Sequence, residues 1–155
     1  MNRDTCQSLA ALSGRVFLSA IFLLSAFNKI MDWNGTAAGM AAHGMPVVPL
    51  FLAGAIVFEL LGGLSVLLGF FGRIGATALI VYMIPVTLIF HNFWAADAAQ
   101  QQNQMIHFLK NVSIVGGLFM VAAMGTDGFS VDRWMRRERK AGQADERTRE
   151  PTMVG

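Results

Sequence analysis

Between residues 5 and 131 the chain carries only eight Lys, Arg, Asp or Glu side chains: Arg15, Lys29, Asp32, Glu59, Arg73, Asp97, Lys110 and Asp127. A water-soluble domain is charged at roughly a quarter of its positions, so this stretch has too little polar surface to fold in water and reads as membrane-embedded. The remaining charges are Arg3, Asp4 and twelve residues from Asp132 onward. One uncharged run that is apolar throughout most of its length, residues 74–96, clearly exceeds the roughly 18 residues of a spanning helix. Further spans emerge only if a helix is allowed to carry one embedded charge.

That allowance is physically sound. Residues 47–71 hold sixteen Leu, Ile, Phe and Val around the single carboxylate Glu59. Each apolar residue favours insertion by about 0.3–0.6 kcal/mol near the helix centre, against a penalty of about 3 kcal/mol for the charge. Four spans result, at about residues 12–31, 47–71, 74–94 and 106–125. They define an all-α, integral membrane four-helix bundle over residues 1–132, followed by a charged tail at 133–155. Residues 34–46 read as a glycine-marked polar loop, Gly72-Arg73 as a tight turn, and residues 97–104 as a glutamine-rich loop. The first span also has the outline of a secretory leader, with Arg15, thirteen uncharged residues and small residues at Ser25 and Ala26. Its Ala-x-Ala-like site is poor and its length suits a retained span.

Arg3, Arg15, Arg73, Arg133, Arg136, Arg137, Arg139 and Lys140 gather on one side of such a bundle, which predicts that both termini are cytoplasmic. Trp33, Trp94 and Trp134 fall at span ends, where an indole prefers the headgroup layer. The tail reads as a positive-inside anchor, helical near Arg136 and disordered after Gly142. Gly14-Arg15 and Gly72-Arg73 open the first and third spans. Gly62-Gly63-Leu64 and Gly116-Gly117-Leu118 lie in the second and fourth, a faint repeat of two hairpins. Cys6 stands alone, which excludes an internal disulfide, a C-x-x-C pair and cysteine-based metal or iron–sulfur sites. No Walker loop, G-x-G-x-x-G or H-E-x-x-H is present, and the basic balance belongs to the tail, so no nucleic-acid face is expected.

Helical spacing aligns the embedded polar residues into one stripe per span. The stripes are Arg15, Ser19, Phe22, Ala26 and Lys29; Glu59, Gly62, Gly63 and Val66; Arg73, Thr77, Ile80, Ile84, Thr87 and His91, beside a kink at Pro85; and His107, Lys110, Ser113, Ile114 and Gly117. Lipid satisfies none of these groups, so the stripes should face inward. At about 1.5 Å per residue Glu59 lies near the midplane, Lys29, His91 and Lys110 roughly 10 Å toward the external face, and Arg15 a similar distance toward the cytoplasm. A bare carboxylate at that depth is too costly, so Glu59 should be protonated or should pair, with Lys110 favoured, Arg15 second and Lys29 a third option. Such a pair can serve purely as packing glue. The functional reading is an external-half cavity lined by Asn28, Lys29, Glu59, His91, Asn92, Lys110 and Asn111. Its carbonyl-directed donors and one titratable acceptor suit a quinone. Haem on His91 and His107 is disfavoured because both lie at span ends. Cu(I) on Met31, Met40, Met45, Met105, His43 and His107 is disfavoured because methionine serves as apolar filler; no metal site is expected.

The order and spacing of these residues resemble the DoxX family. The matching pieces are Gly14-Arg15, Asn28-Lys29, Gly44-Met45-Pro46, Phe58-Glu59 with Gly62-Gly63, Gly72-Arg73, His91-Asn92-Phe93-Trp94, Phe108-Leu109-Lys110-Asn111 with Gly116-Gly117-Leu118, and Ser130-Val131-Asp132. The resemblance spans residues 14–132; Ala26 stands where a glycine is expected, and the tail lies outside the pattern. It implies a multi-pass protein of the bacterial inner membrane. Relatives of this family are linked to thiosulfate:quinone oxidoreductase, to a membrane complex acting with superoxide dismutase and a sulfurtransferase, and to catechol or quinone stress. The expected function is therefore a membrane subunit or quinone-binding component of a redox or oxidative-stress system, with a membrane or soluble redox partner. The alternatives are a noncatalytic anchor or assembly factor for a soluble partner and, less favoured, a solute pathway requiring a homo-oligomer.

Overall fold

A computed structural model describes residues 2–149, with side chains described to Gln143. Its element order is α1 (Arg3–Met31), α2 (Trp33–Ala42), α3 (Val48–Leu68), α4 (Gly72–Phe90), a 3-10 turn (Phe93–Ala95), α5 (Ala98–Met124) and α6 (Val131–Arg149). Among the described residues there is no strand. Four helices, α1, α3, α4 with its following turn, and α5, are long and apolar enough to cross a membrane.

α3 is the central packing element, touching α1 on one side and α4 on the other, and α5 packs on α4. Adjacent glycines permit this double contact. A Cβ on Gly62 would lie 2.6 Å from Cγ of Leu79 on α4, and one on Gly63 would lie 3.0 Å from Cδ2 of Leu23 on α1. Small residues allow such close approach between membrane helices, where dispersion rather than hydrophobic burial drives association. The resulting core comprises Phe22, Val66, Ala76, Leu79, Ile80, Met83 and Leu118. Outside it the polarity is inverted relative to a soluble protein. Phe17, Leu50, Ile74 and Met124 are each more than three-fifths exposed, a surface suited to lipid.

Two regions read as loops are helical. Residues 33–42 form α2, whose start is fixed by Asp32 accepting from the Gly35 amide at 3.0 Å. Residues 98–104 are the first turns of α5, with Asp97 accepting from the Gln100 amide at 2.9 Å. In both places a carboxylate satisfies an amide that the first helical turn leaves free. Glycine and glutamine content suggested irregular chain; the capping aspartates decide otherwise.

The tail is likewise more ordered than its composition suggested, since α6 continues past Gly142 to Arg149. Its start is pinned to the turn between α3 and α4. The Asp132 amide donates to the Gly69 carbonyl at 3.1 Å, and the Asp132 carboxylate accepts from the Phe71 amide at 3.2 Å. Gly69 adopts φ +65 here, and a Cβ on it would crowd both Ser130 and the Arg15 guanidinium. Residues 150–155, the end of the predicted tail, lie outside the described residues.

Candidate functional site

Where α1 and α5 approach, a Cβ on Gly117 would lie 3.0 Å from Cδ2 of Leu18. Toward the Lys29 end the helices separate around a cavity of about 820 Å³. α1 contributes Phe22, Ser25 and Lys29; α3 contributes Gly54, Phe58 and Glu59; α4 contributes Tyr82, Met83 and Val86; α5 contributes Lys110, Asn111 and Ile114. α2 and the residues after it close one end with Thr36, Met40, His43 and Met45. The volume falls in the range of small-molecule sites, and the lining is apolar with a few polar groups, the usual composition of such sites.

Glu59 is the polar centre of this wall. It is 4% exposed, and its ion-pair partner is Lys29, with Nζ 2.9 Å from Oε1 and 3.0 Å from Oε2. Ser25 Oγ donates to Oε1 at 3.0 Å while accepting from Lys29 Nζ at 2.5 Å. Tyr82 OH donates to the same Oε1 at 2.8 Å. Three transmembrane helices thus converge on one carboxylate, and burial demands this saturation because a carboxylate in apolar surroundings is stable only when paired and hydrogen-bonded.

The expected pairing of Glu59 with Lys110 and Arg15 is therefore corrected. Lys29 and Ser25 lie one turn apart on α1, directly against α3, so the shortest bridge runs between neighbouring helices. Lys110 instead hydrogen-bonds His107 Nδ1 at 3.0 Å. Arg15 lies about 21 Å from Lys29 along α1 at 1.5 Å per residue. It is 4% exposed and contacts no carboxylate among the described residues. Its guanidinium donates to the carbonyls of Thr126 at 3.1 Å, Leu67 at 3.3 Å and Phe129 at 2.5 Å. Leu67 and Thr126 lie at the C-terminal ends of α3 and α5, where unsatisfied carbonyls and the helix dipole favour a cation.

The other anticipated residues divide. Asn111 lines the cavity, is 7% exposed, and donates to Thr87 Oγ1 at 3.1 Å. His91 also lines it; its Nδ1 lies 2.9 Å from Gln104 Oε1 and its ring stacks on His107 with centroids 5.2 Å apart and planes inclined by 23°. Asn28 is exposed and Asn92 precedes the 3-10 turn; neither belongs to the cavity wall. Of the proposed Cu(I) set, Met40, Met45 and His43 line the cavity, whereas Met31 is 67% and Met105 40% exposed. The inward face of α5 is built from Asn111, Ile114 and Leu118, and Ser113 is exposed with its hydroxyl donating to the Leu109 carbonyl at 3.0 Å.

Sequence reasoning missed Tyr82 and Ser25. The signal for Tyr82 was available: it is the chain's single tyrosine, set in the middle of an apolar span where its hydroxyl requires a partner.

A family model described as DoxX matches residues 10–92. The inner membrane protein YphA of Escherichia coli (strain K12) is 34% identical over 122 residues, covering 79% of this chain and 87% of the relative. The inner membrane protein YqjF of the same organism is 29% identical over 132 residues, covering 85% of this chain and 96% of the relative. No solved structure matches. With its four spans and these relatives, the chain belongs to the DoxX family and is a multi-pass protein of the inner membrane.

Proposed function

We propose that this protein is a membrane component of a redox or oxidative-stress system and binds a quinone-like ligand inside the bundle. The observation that carries the reading is the cavity of about 820 Å³ with the Lys29–Glu59–Tyr82 cluster on its wall. An aromatic headgroup is suited by the apolar residues Phe22, Phe58, Met83 and Ile114, and its polar substituents by the few hydrogen-bonding side chains among them. Lys110 and Asn111, on α5, form a second polar station on the lining. Glu59 is the acceptor and ion-pair anchor, Lys29 its charge partner, and His91 a proton relay toward Gln104 and His107. Both termini face the cytoplasm in this reading, because the basic residues of α6 lie at the Arg15 end.

The test is purification in mild detergent, with mass spectrometry of extracted lipids and an optical spectrum. A bound quinone or quinol, or thermal stabilisation by an added short-chain quinone or its quinol that is altered in Glu59→Gln, is expected. Neither in the wild type overturns the reading.

One observation favours a second reading, a noncatalytic anchor for a soluble partner. α6 is docked at its first turn through Asp132, while Arg137, Arg139 and Lys140 remain exposed beyond it. A tagged copy would then retain a soluble partner, lose it when residues 136–155 are deleted, and keep it in Lys110→Met.

A further inference from the structure

The hydrogen-bond inventory of the Glu59 cluster determines which chemical form of a ligand it can receive. Lys29 has three N–H donors, Ser25 one O–H and Tyr82 one O–H, and a carboxylate offers about four lone-pair positions with no donor. Lys29 is directed at Ser25 Oγ and both Glu59 oxygens, and Ser25 and Tyr82 are both directed at Oε1. The Ser25 and Tyr82 hydroxyls are thus committed within the cluster, and Lys29 is aimed into it. The acceptors are not all filled: Oε1 receives three bonds, but Oε2 receives one, and the Tyr82 oxygen donates its proton while keeping its lone pairs. What the cluster presents to the cavity is the acceptor capacity of a carboxylate oxygen and a phenolic oxygen.

From this we infer that the Glu59 station selects ligands bearing a hydroxyl donor, a phenol or the reduced hydroquinone form, over carbonyl or ether counterparts of the same shape. A quinone carbonyl brought to Oε2 or to the Tyr82 oxygen sets lone pair against lone pair, whereas a phenolic O–H makes a charge-assisted bond there. The expectation that Lys29 donates to a ligand carbonyl is reversed, since its protons are held by Glu59 and Ser25. Carbonyl-directed donors lie elsewhere on the lining, above all on α5, where Lys110 has donors beyond its bond to His107 and Asn111 has a second N–H. A ligand with a hydroxyl at one end and an acceptor at the other matches both stations. This inference rests on the cavity being a ligand site, and it assigns the oxidation state and substituent chemistry of the occupant.

The experiment is calorimetric titration of the protein in lipid nanodiscs with 4-hexylphenol, its methyl ether and the matched ketone 4-hexylacetophenone, each corrected by empty nanodiscs. These probes undergo no redox chemistry and share one apolar tail. A hydrogen bond to a charged acceptor is worth enough that the phenol is expected to bind at least tenfold more tightly than the ether or ketone. Gly54→Leu, which fills the cavity wall at a position where a Cβ meets no neighbour within 4 Å, should weaken all three equally. Glu59→Gln, which turns an amide N–H toward the ligand, should bring the phenol-to-ether ratio toward one. Equal or tighter binding of the ether or ketone to the wild type overturns the donor selectivity and leaves the cavity reading standing. Absence of saturable binding by all three probes overturns both, and the wild-type comparison decides even if a variant fails to fold.

Discussion

Lys29→Met removes the only cation on the buried carboxylate while nearly preserving the length of the side chain. Truncating one partner of a buried ion pair costs about 3–5 kcal/mol, because the other charge is left uncompensated. Ser25 and Tyr82 still donate to Glu59 Oε1 in this variant, which places the cost near the lower end, about 3 kcal/mol, or more than a hundredfold in the folding equilibrium. Glu59→Leu should cost a similar amount, since it strands an ammonium together with two hydroxyl donors. In Lys29→Met/Glu59→Leu neither charge remains, and the residual loss is that of the two hydroxyl bonds, about 1 kcal/mol each. The two substitutions should therefore couple by about 4 kcal/mol. Reversible unfolding in mixed micelles of rising dodecyl sulfate fraction, followed by tryptophan fluorescence, measures all four states of the cycle. A single-variant cost below about 0.5 kcal/mol, the range of an ordinary surface change, would refute the pairing. So would a loss in Lys110→Met as large as that in Lys29→Met.

Arg15→Leu should lower thermal stability by about 2 kcal/mol or more, since it leaves the buried carbonyl of Thr126 and the partly buried carbonyls of Leu67 and Phe129 without their donor; melting in detergent checks it. Gly62→Val should disrupt the bundle, because its Cβ meets Leu79, while Gly116→Val, with nothing within 4 Å of its Cβ, should cost under about 1 kcal/mol; the fraction running as folded monomer in size-exclusion chromatography separates the two. Asp132→Ala removes the bond to the Phe71 amide and should speed trypsin cleavage at the arginines of α6 several-fold without changing the melting of the transmembrane helices.

How far the sequence could be read depended on the kind of question. The inward faces of α1 and α3 are those that helical periodicity gives, Arg15, Ser19, Phe22 and Ala26 on one and Glu59, Gly62, Gly63 and Val66 on the other. Each stripe there is bounded by large apolar residues, so its angle about the helix axis is unambiguous. α5 is less sharply patterned. Ser113 looked like an inward polar residue, yet it satisfies itself on its own helix and Asn111 takes the buried position. Partner choice was harder still, because counting residues gives depth in the membrane but not which helix lies beside which. Lys29 and Lys110 were equivalent by depth, and only the packing of α1 against α3 distinguishes them. The same missing information hid Tyr82, whose role depends on α4 lying on the other flank of α3.

Arg15 carries a consequence for how the chain is assembled. Its carbonyl partner Thr126 lies 111 residues downstream, so while the first helix enters the membrane this guanidinium has none of the contacts that later neutralise its burial. During that interval it is an unpaired cation near one end of an apolar helix, the form in which a positive charge holds a helix end on the cytoplasmic side. Once α3 and α5 have arrived, their carbonyl-bearing ends enclose the same side chain and it becomes interior. In the proposed orientation this residue acts first on the topology of the nascent chain and then, after synthesis, as the clasp that draws three distant segments together.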